Sequence, residues 1–406
     1  MNVLVLSPYA PWPPYGGGTM RIFQLLRGIA SQHNVICLSF VSQSAFIVEC
    51  AAQLAPATLV AVVGPAPRTL RQRAWQMLIS PLPDMALRNR DDTYTAHLTQ
   101  ILDTHHIDVV IAFSIEMAPY LQVVRQRGIA TVFDEFNAEY IIQKRAALTD
   151  ARHPRRWHAA LYSLVQWAKL QRFEAHAVAQ ADAVTVVSHD DAAMLQRLIP
   201  TLYATVIPNG VDTNFFARTA VTATHYSRPT IVFSGTLDYR PNVDAVRWFV
   251  HEVMPLIRHH VADVDFVVVG RRPTAELYTM QAAGLVTLTG EVVDTRPYLC
   301  GAAVYVVPMR IGGGVRLKVL EAMSLALPIV STTLGVEGID ALPAQCWVRA
   351  DTPQSMAQAI SDMLLQHGLT TASRDFVVAH YDWQVIIPRL LSLLDAVVSQ
   401  RAGGRV

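Results

Sequence analysis

No apolar run in this sequence approaches the stretch of about 18 residues that a membrane-crossing helix requires, although hydrophobic residues make up 52% of the chain. Cysteine is scarce. Cys37, Cys50, Cys300 and Cys346 are the only four, none forms a CxxC pair, and most sit in or beside apolar runs. That spacing argues against a disulfide framework or a zinc site and fits reduced packing residues in a cytosolic protein. Charge of one sign is also lacking: 33 Lys and Arg face 32 Asp and Glu, a formal net charge of +1. A broad nucleic-acid footprint needs clustered positive charge, so nucleic acid is not an expected partner. The first residues enter a strand pattern at once, without a basic segment and cleavage site, so no signal peptide is expected. There is no short-period internal repeat. Neither glycine loop matches GxGxxG, which argues against a nicotinamide dehydrogenase.

What the chain does have is regular alternation of strand and helix patterns. Val3–Ser7, Val35–Val41, Thr58–Val62, Asp108–Phe113, Thr131–Asp134, Ala183–Val187 and Ala204–Ile207 read as short strands rich in β-branched residues. Helical patterns such as Met20–Ser31 and Thr93–His105 lie between them, the signature of a parallel, doubly wound sheet. From Pro229 the alternation starts afresh with Ile231–Ser234, Asp265–Val269, Val286–Leu288, Val304–Val307, Ile329–Ser331 and Cys346–Val348. The helices expected here are Asn242–His259, Thr274–Ala283, Val315–Leu325 and Pro353–Gln366. Residues 209–228, which begin within a Pro208-Asn209-Gly210 turn signal, read as a linker. The expected organisation is an α/β chain of two Rossmann-like domains, 1–208 and 229–382, facing across a cleft where α/β ligands bind. The amphipathic pattern over 383–399 would pack back on the first domain, and the tail at Gly403 and Gly404 would fray.

The densest functional signal is Pro308-Met-Arg310-Ile-Gly312-Gly313-Gly314-Val-Arg316-Leu317-Lys318-Val-Leu-Glu321-Ala-Met323, between two buried-strand patterns. Consecutive glycines let backbone N–H groups approach an anion, and a helix N-terminus favours negative charge. Glu321 follows Lys318 by three residues, so both project from one side of that helix. This suits an anionic diphosphate with a hydroxyl-rich sugar one turn away.

Two such domains with this glycine loop resemble the retaining GT-B glycosyltransferases, specifically the large group called glycosyltransferase group 1 or family 4. The likeness covers essentially the whole chain. Pro13-Pro14-Tyr15-Gly16-Gly17-Gly18 resembles the family's N-terminal glycine loop, beside donor phosphate and acceptor. Ala181-Asp182-Ala183 with Val187-Ser188, and Pro208-Asn209-Gly210-Val211-Asp212, resemble its strand and linker signatures. Gly235 opens the loop after the first strand of the second half, with Arg240 and Asn242 just beyond it. Gly270 ends the second strand, and Gly290-Glu291-Val292 follows the third, where the family grips the nucleobase. Departures accompany these matches. The family has two glutamates eight positions apart, and here the first position is Gly313. The family's Gly-Arg is Gly235-Thr236, with Arg240 as a partial replacement for the charge. The family's histidine after Thr131–Asp134 is replaced by Asp134-Glu135-Phe136-Asn137-Ala138-Glu139.

The resemblance implies a donor site of Gly235, Arg240, Asn242, Gly270, Gly290, Val292, Arg310, Gly312, Gly313, Gly314, Leu317 and Glu321, with Gly16, Gly17 and Gly18 from the first half. Arg316 and Lys318 would neutralise the leaving diphosphate, the kind of electrostatic contribution that is usually the largest in catalysis. Glu321 would bind the ribose hydroxyls, or pair with Lys318, or both. One of the carboxylates Asp134, Glu135 and Glu139 would orient the acceptor hydroxyl, while Asp134 and Asn137 could equally cap the next helix; Arg21 could face ligand or solvent. Arg310 could be a surface residue.

No DxD pair follows a strand where a metal-dependent sugar transferase holds manganese. Asp91-Asp92 and Asp190-Asp191 read as cap or turn residues, so no metal and no cofactor besides the nucleotide-diphosphate sugar is expected. Arg152, Arg155, Arg156, Trp157, Trp167, Lys169 and Arg172 crowd one helical region. They suit peripheral contact with an anionic membrane through 152–172, or a core-facing tryptophan stripe with a solvated charged face. The implied activity is hexosyl transfer to an unknown sugar, lipid-linked or small-molecule acceptor, in the cytoplasm or at the inner membrane face. A nucleotide-sugar epimerase and a non-catalytic nucleotide-sugar-binding subunit are the rival readings.

Overall fold

The computed structural model describes residues 1–42, 46–152, 154–366 and 371–403; Gly404 and the side chain of Arg155 lie outside the described residues. The chain divides into two compact units, Met1–Pro208 with Ile386–Val406, and Asn209–Val385.

The first unit is built on seven strands: β1 (Asn2–Ser7), β2 (Asn34–Val41), β3 (Thr58–Val63), β4 (Val109–Phe113), β5 (Ala130–Glu135), β6 (Ala183–Val186) and β7 (Ala204–Val206). All neighbours are parallel in the order β3-β2-β1-β4-β5-β6-β7. β1 is central, with Val5 in register with Cys37 on one side and Ile111 on the other. Helices cover both faces of such a sheet, which is why Val3, Leu4, Val5 and Leu6 are all fully buried and read as an uninterrupted apolar run. The four cysteines are buried and unpaired.

The second unit repeats the plan with β8 (Thr230–Ser234), β9 (Asp265–Val269), β10 (Thr287–Leu288), β11 (Val304–Val307), β12 (Ile329–Ser331) and β13 (Val348–Arg349). Its order is β10-β9-β8-β11-β12-β13, again all parallel. The last strand begins later than the expected Cys346–Val348, because Cys346 is buried in a short 3-10 turn, Ala344–Cys346. The helix expected at Asn242–His259 is interrupted by one π-helical turn, Phe249–Val253, flanked by Arg240–Trp248 and Met254–His260. Pro255 supplies the reason: without an N–H, and with a ring that crowds the preceding turn, it cannot continue a regular α-helix.

Residues 209–228 belong to the second unit and do not form a free linker. Thr224 N–H donates to the Pro297 carbonyl (2.9 Å), Arg218 Nη2 to the Cys300 carbonyl (2.8 Å), and Ser324 Oγ to the Phe216 carbonyl (2.8 Å). From Ile386 the final helix, Trp383–Gly403, belongs to the first unit. A Cβ on Gly28 would lie 2.6 Å from Ile387, and Arg401 Nη1 pairs with Asp182 at 2.6 Å.

Candidate functional site

In the second unit β8 and β11 are neighbours, while the connections from them lead to opposite halves of the sheet. At such a switch point the loops leaving the carboxyl ends part and open a crevice for ligand. The two loops are Gly235–Tyr239 and the glycine-rich segment after Val307, and the structure brings them together at one side chain. Lys318 Nζ donates to Asn242 Oδ1 at 2.9 Å, and Asn242 Nδ2 donates to the Thr236 carbonyl at 2.9 Å. Gly235 has φ +152°, and a Cβ there would lie 2.7 Å from Asn242 Nδ2 and 2.8 Å from Lys318 Nζ. Gly270 is required in turn, since its Cβ would stand 1.8 Å from the Gly235 carbonyl oxygen.

Lys318 is the second residue of the Leu317–Ser324 helix, and Arg316 is its N-cap. Burial, reinforced by the neighbouring Arg316 charge and opposed by Glu321, lowers the Lys318 pKa to about 7. Its ammonium lies 4.1 Å from the centre of the Phe233 ring. Burial likewise raises Glu321 to about 7, against the pull of Lys318. Arg316 is buried and folds back over its own loop, Nη1 donating to the Gly313 carbonyl at 2.5 Å. Gly312 (φ +113°) and Gly314 (φ +79°) have conformations that only glycine adopts readily. The triplet therefore serves the shape of the loop as well as access to its amides.

The remaining second-unit candidates divide. Gly290 (φ +69°) turns the chain after β10, and Arg240 is the exposed first residue of the Arg240–Trp248 helix. The partly buried Val292 and Leu317 side chains pack against the core of the unit. Arg310 is committed elsewhere. It is 41% exposed, holds Asp244 at 2.9 and 3.2 Å, and lies over the Trp248 ring, an arrangement that braces the Arg240–Trp248 helix and fits the surface alternative left open for Arg310.

In the first unit the switch point lies between β1 and β4. Gly16 is the N-cap of the Gly17–Ala30 helix, and Gly16 and Gly17 are exposed. A Cβ on Gly18 would lie 2.0 Å from the Tyr9 hydroxyl and 3.1 Å from Phe136, so that position is closed to any larger residue by packing. Asp134 is not available to an acceptor. It is 1% exposed and holds Arg21, itself 1% exposed, through Nε (2.8 Å) and Nη2 (2.6 Å), and it accepts from Thr185 Oγ1 (2.6 Å). Arg21 also donates to the Ile207 carbonyl at 2.8 Å, so the pair ties the first helix to β5, β6 and the end of β7. It faces neither ligand nor solvent, and neither Asp134 nor Asn137 caps the next helix. The amides of Glu139 and Tyr140 donate instead to Glu174, at 2.8 Å each.

What remains beside that switch point is Glu139, with Glu116, Glu135 and Tyr9. Burial, with Glu116 nearby, raises Glu139 to about 7, while a hydrogen bond from Asn137 (3.2 Å) holds it down. Glu135 is 1% exposed, and neither of its carboxylate oxygens has a hydrogen-bond partner among the described residues. Desolvation, with Glu174 nearby, pushes Glu135 far above the usual carboxylate range, and desolvation raises Glu174 as well, against the pull of its two amide donors. Tyr9 is raised by burial and by Glu116, Glu139 and Asp134. Glu116 accepts a short hydrogen bond from Ser114, which has φ +70°. Tyr9 and Glu116 were missed in the sequence; their signal was position, directly after β1 and β4. A cavity of about 420 Å³ opens nearby at the ends of β1–β3, lined by Tyr9, Phe40, Arg68, Arg73, Asp84 and Arg88 among others.

Of the acidic pairs, Asp91 caps the Asp92–Thr104 helix through the Tyr94 amide (2.8 Å), and Asp191 accepts from the Ala138 amide (3.1 Å). The basic, tryptophan-rich run also divides. Trp167 packs against the core, and Lys169 is spent on the Met77 and Ser80 carbonyls (2.6 Å each), whereas Trp157 is 65% exposed. Among the described residues no helix is long and apolar enough to cross a membrane.

Residues 15–215 match the family model described as Glycosyltransferase Family 4, and residues 228–366 match Glycosyl transferases group 1. The fold agrees with solved structures over nearly the whole chain. Sucrose-phosphate synthase from Thermosynechococcus elongatus superposes with a TM-score of 0.72 at 16% identity, covering 98% of this chain and 100% of that one. By fold and by both family models, the chain belongs to the GT-B glycosyltransferases. Two further relatives of this glycosyltransferase were solved with ligands. Anabaena HepE in complex with UDP gives a TM-score of 0.63 at 13% identity (98% and 100% covered). An α,α-trehalose-phosphate synthase from Burkholderia xenovorans in complex with glucose-6-phosphate gives 0.65 at 15% (97% and 100% covered). In sequence, an uncharacterized 44.6 kDa protein in the cps region of Klebsiella pneumoniae is 26% identical over 117 residues; the match spans 27% of this chain and 30% of that relative.

Proposed function

We propose that the protein transfers a hexosyl group from a nucleoside-diphosphate sugar to an acceptor hydroxyl, with retention of anomeric configuration and without a metal ion. The observation that carries this reading is the convergence of Lys318, Asn242, Gly235 and the glycine-rich loop at the switch point of the second sheet. Those groups suit a diphosphate: Lys318 and Arg316 supply positive charge, and the loop supplies backbone amides next to a helix N-terminus. UDP and sugar-phosphate complexes of proteins with this fold support a nucleotide-sugar donor and a sugar acceptor.

In the reaction the bond from the anomeric carbon to the diphosphate oxygen breaks as the acceptor oxygen bonds to that carbon. Negative charge grows on the departing diphosphate, where Lys318 and Arg316 stabilise it. The acceptor proton passes to that diphosphate, and Glu139 holds the acceptor hydroxyl in place. Glu321 accepts from the ribose hydroxyls, for which a carboxylate has two oxygens. Exposed Gly16 and Gly17 leave backbone open to a phosphate or acceptor.

A thermal-shift panel of nucleotide sugars identifies the donor, since a ligand that favours the folded state raises its melting temperature. Product NMR then reads the anomeric configuration, and assays in a chelator read the metal requirement. Absence of stabilisation by any nucleotide sugar would overturn the proposal, and isomerised donor formed without acceptor would replace it with the epimerase. Glu139→Gln is expected to lower kcat by roughly tenfold to a thousandfold while donor affinity is kept; unchanged kcat removes Glu139 from the site.

A further inference from the structure

The first unit carries a second built surface, formed by the Leu70–Ile79 helix and the first half of the Trp157–Gln180 helix. No residue of the ten in Leu70–Ile79 is buried. Trp75 (63%), Leu78 (75%) and Ile79 (60%) occupy successive turns of one side and face solvent. On the longer helix Trp157 (65%), Leu161 (61%) and Leu164 (49%) recur at spacings of four and three, another row on one side. The two helices are fixed beside each other by polar contacts. Arg73 Nη2 donates to the Tyr162 hydroxyl at 2.8 Å, Lys169 Nζ donates to the Met77 and Ser80 carbonyls, and the Asp84 amide donates to Gln166 Oε1 at 2.8 Å. A helix with no buried residue gains nothing from the core of its own domain, and large apolar rows left in water mark an interaction site.

Charge specifies the occupant. Residues 65–90 and 144–172 contain twelve Lys and Arg of the chain's 33, but only two Asp and Glu of its 32. Both acids, Asp84 and Asp150, are buried and paired, with Arg68 and Arg73 and with Arg156 respectively. Arg71 and Arg152 are exposed and pair with no acid among the described residues, in a protein that is otherwise close to neutral. Apolar rows among arginines match the headgroup region of an anionic bilayer, where the rings and leucines enter the acyl boundary and the guanidinium groups meet phosphate.

We infer that this two-helix surface docks the protein on an anionic lipid bilayer, without any segment crossing it. The inference stands apart from the donor chemistry proposed above and extends it only by placing the acceptor-side domain at a membrane.

Sedimentation of the full chain with phosphatidylcholine–phosphatidylglycerol vesicles, against phosphatidylcholine alone, tests it. Binding is expected to the anionic vesicles, to weaken with added salt, and to fall at least about tenfold in partition coefficient in Arg71→Glu/Arg152→Glu. Trp75→Ser/Leu78→Ser/Trp157→Ser should reduce binding similarly through lost apolar burial. Unchanged melting and an unchanged shift with UDP show that the fold and donor site are intact in each variant. Wild-type protein that stays in the supernatant overturns the inference, as does binding that both variants retain. A concentration-dependent dimer in ultracentrifugation, abolished by the apolar variant in a protein that ignores vesicles, also overturns it and assigns the surface to a second copy. If the apolar variant fails to fold, the charge-reversal and lipid-composition arms decide.

Discussion

The pH dependence of donor affinity follows directly from the environment of Lys318. A free lysine stays charged far beyond neutrality, but burial and Arg316 bring this one to about 7. In the unliganded site its protonated fraction is then about nine-tenths at pH 6, half at pH 7, one-tenth at pH 8 and one-hundredth at pH 9. A diphosphate favours the charged form, so binding carries a proton uptake that becomes complete on the alkaline side. Affinity for UDP should fall about fivefold between pH 7 and 8 and about tenfold between 8 and 9, the slope ending only where the liganded lysine itself titrates. Glu321, also near 7, adds an opposing acid limb, because its loss of charge below neutrality weakens the hydroxyl contacts. Isothermal titration with UDP from pH 6 to 9.5 reads both limbs. Glu321→Gln should remove the acid limb and keep the alkaline one, and Lys318→Arg should abolish the alkaline fall because a guanidinium stays charged. A flat profile in the wild type, or an identical slope in Lys318→Arg, would refute the assignment of Lys318 to the diphosphate.

Removing one partner of the Arg21–Asp134 pair leaves an uncompensated buried charge, so Arg21→Ala or Asp134→Ala should destabilise the first unit by about 3–5 kcal/mol, measured by urea unfolding with amide exchange in β5 and β6. A loss below about 1 kcal/mol would show that the pair is solvated in solution. Gly270→Ala should force the Gly235 turn away from Lys318 and lower UDP affinity at least about tenfold, with the first unit's amide exchange unchanged. Arg310→Ala, which removes a half-exposed surface pair, should change donor affinity less than about threefold; a larger loss would return that residue to the ligand.

Strand positions were readable because a parallel sheet buried on both faces writes each strand as a short, continuous apolar run, as at Val3–Leu6 and Val304–Val307. The glycine-rich loop was equally legible, since Gly312 and Gly314 need conformations that few other residues tolerate. Side-chain roles were harder to read. Asp134 and Arg21 are 113 positions apart, and nothing local announces that they neutralise each other inside the sheet. Arg310 finds Asp244 across 66 positions in the second unit. The burial that depresses Lys318 comes from the fold, and Phe233, whose ring lies beside its ammonium, is indistinguishable in sequence from any other core aromatic. The exposed Leu70–Ile79 helix escaped because its apolar spacing is that of a helix that packs inward; only the structure shows that side facing outward.

The final helix has a consequence for how the protein is made. Since Ile386 onward belongs with the amino-terminal half, that half is interrupted in sequence by the whole Asn209–Val385 unit. A ribosome therefore delivers a complete insert before it delivers the last piece of the domain that began first, and the groove at Gly28 waits uncovered until Ile387 emerges. Early termination would spare the Asn209–Val385 unit and harm the one that began first. A workable stand-alone amino-terminal fragment should carry the 386–403 segment grafted onto its end.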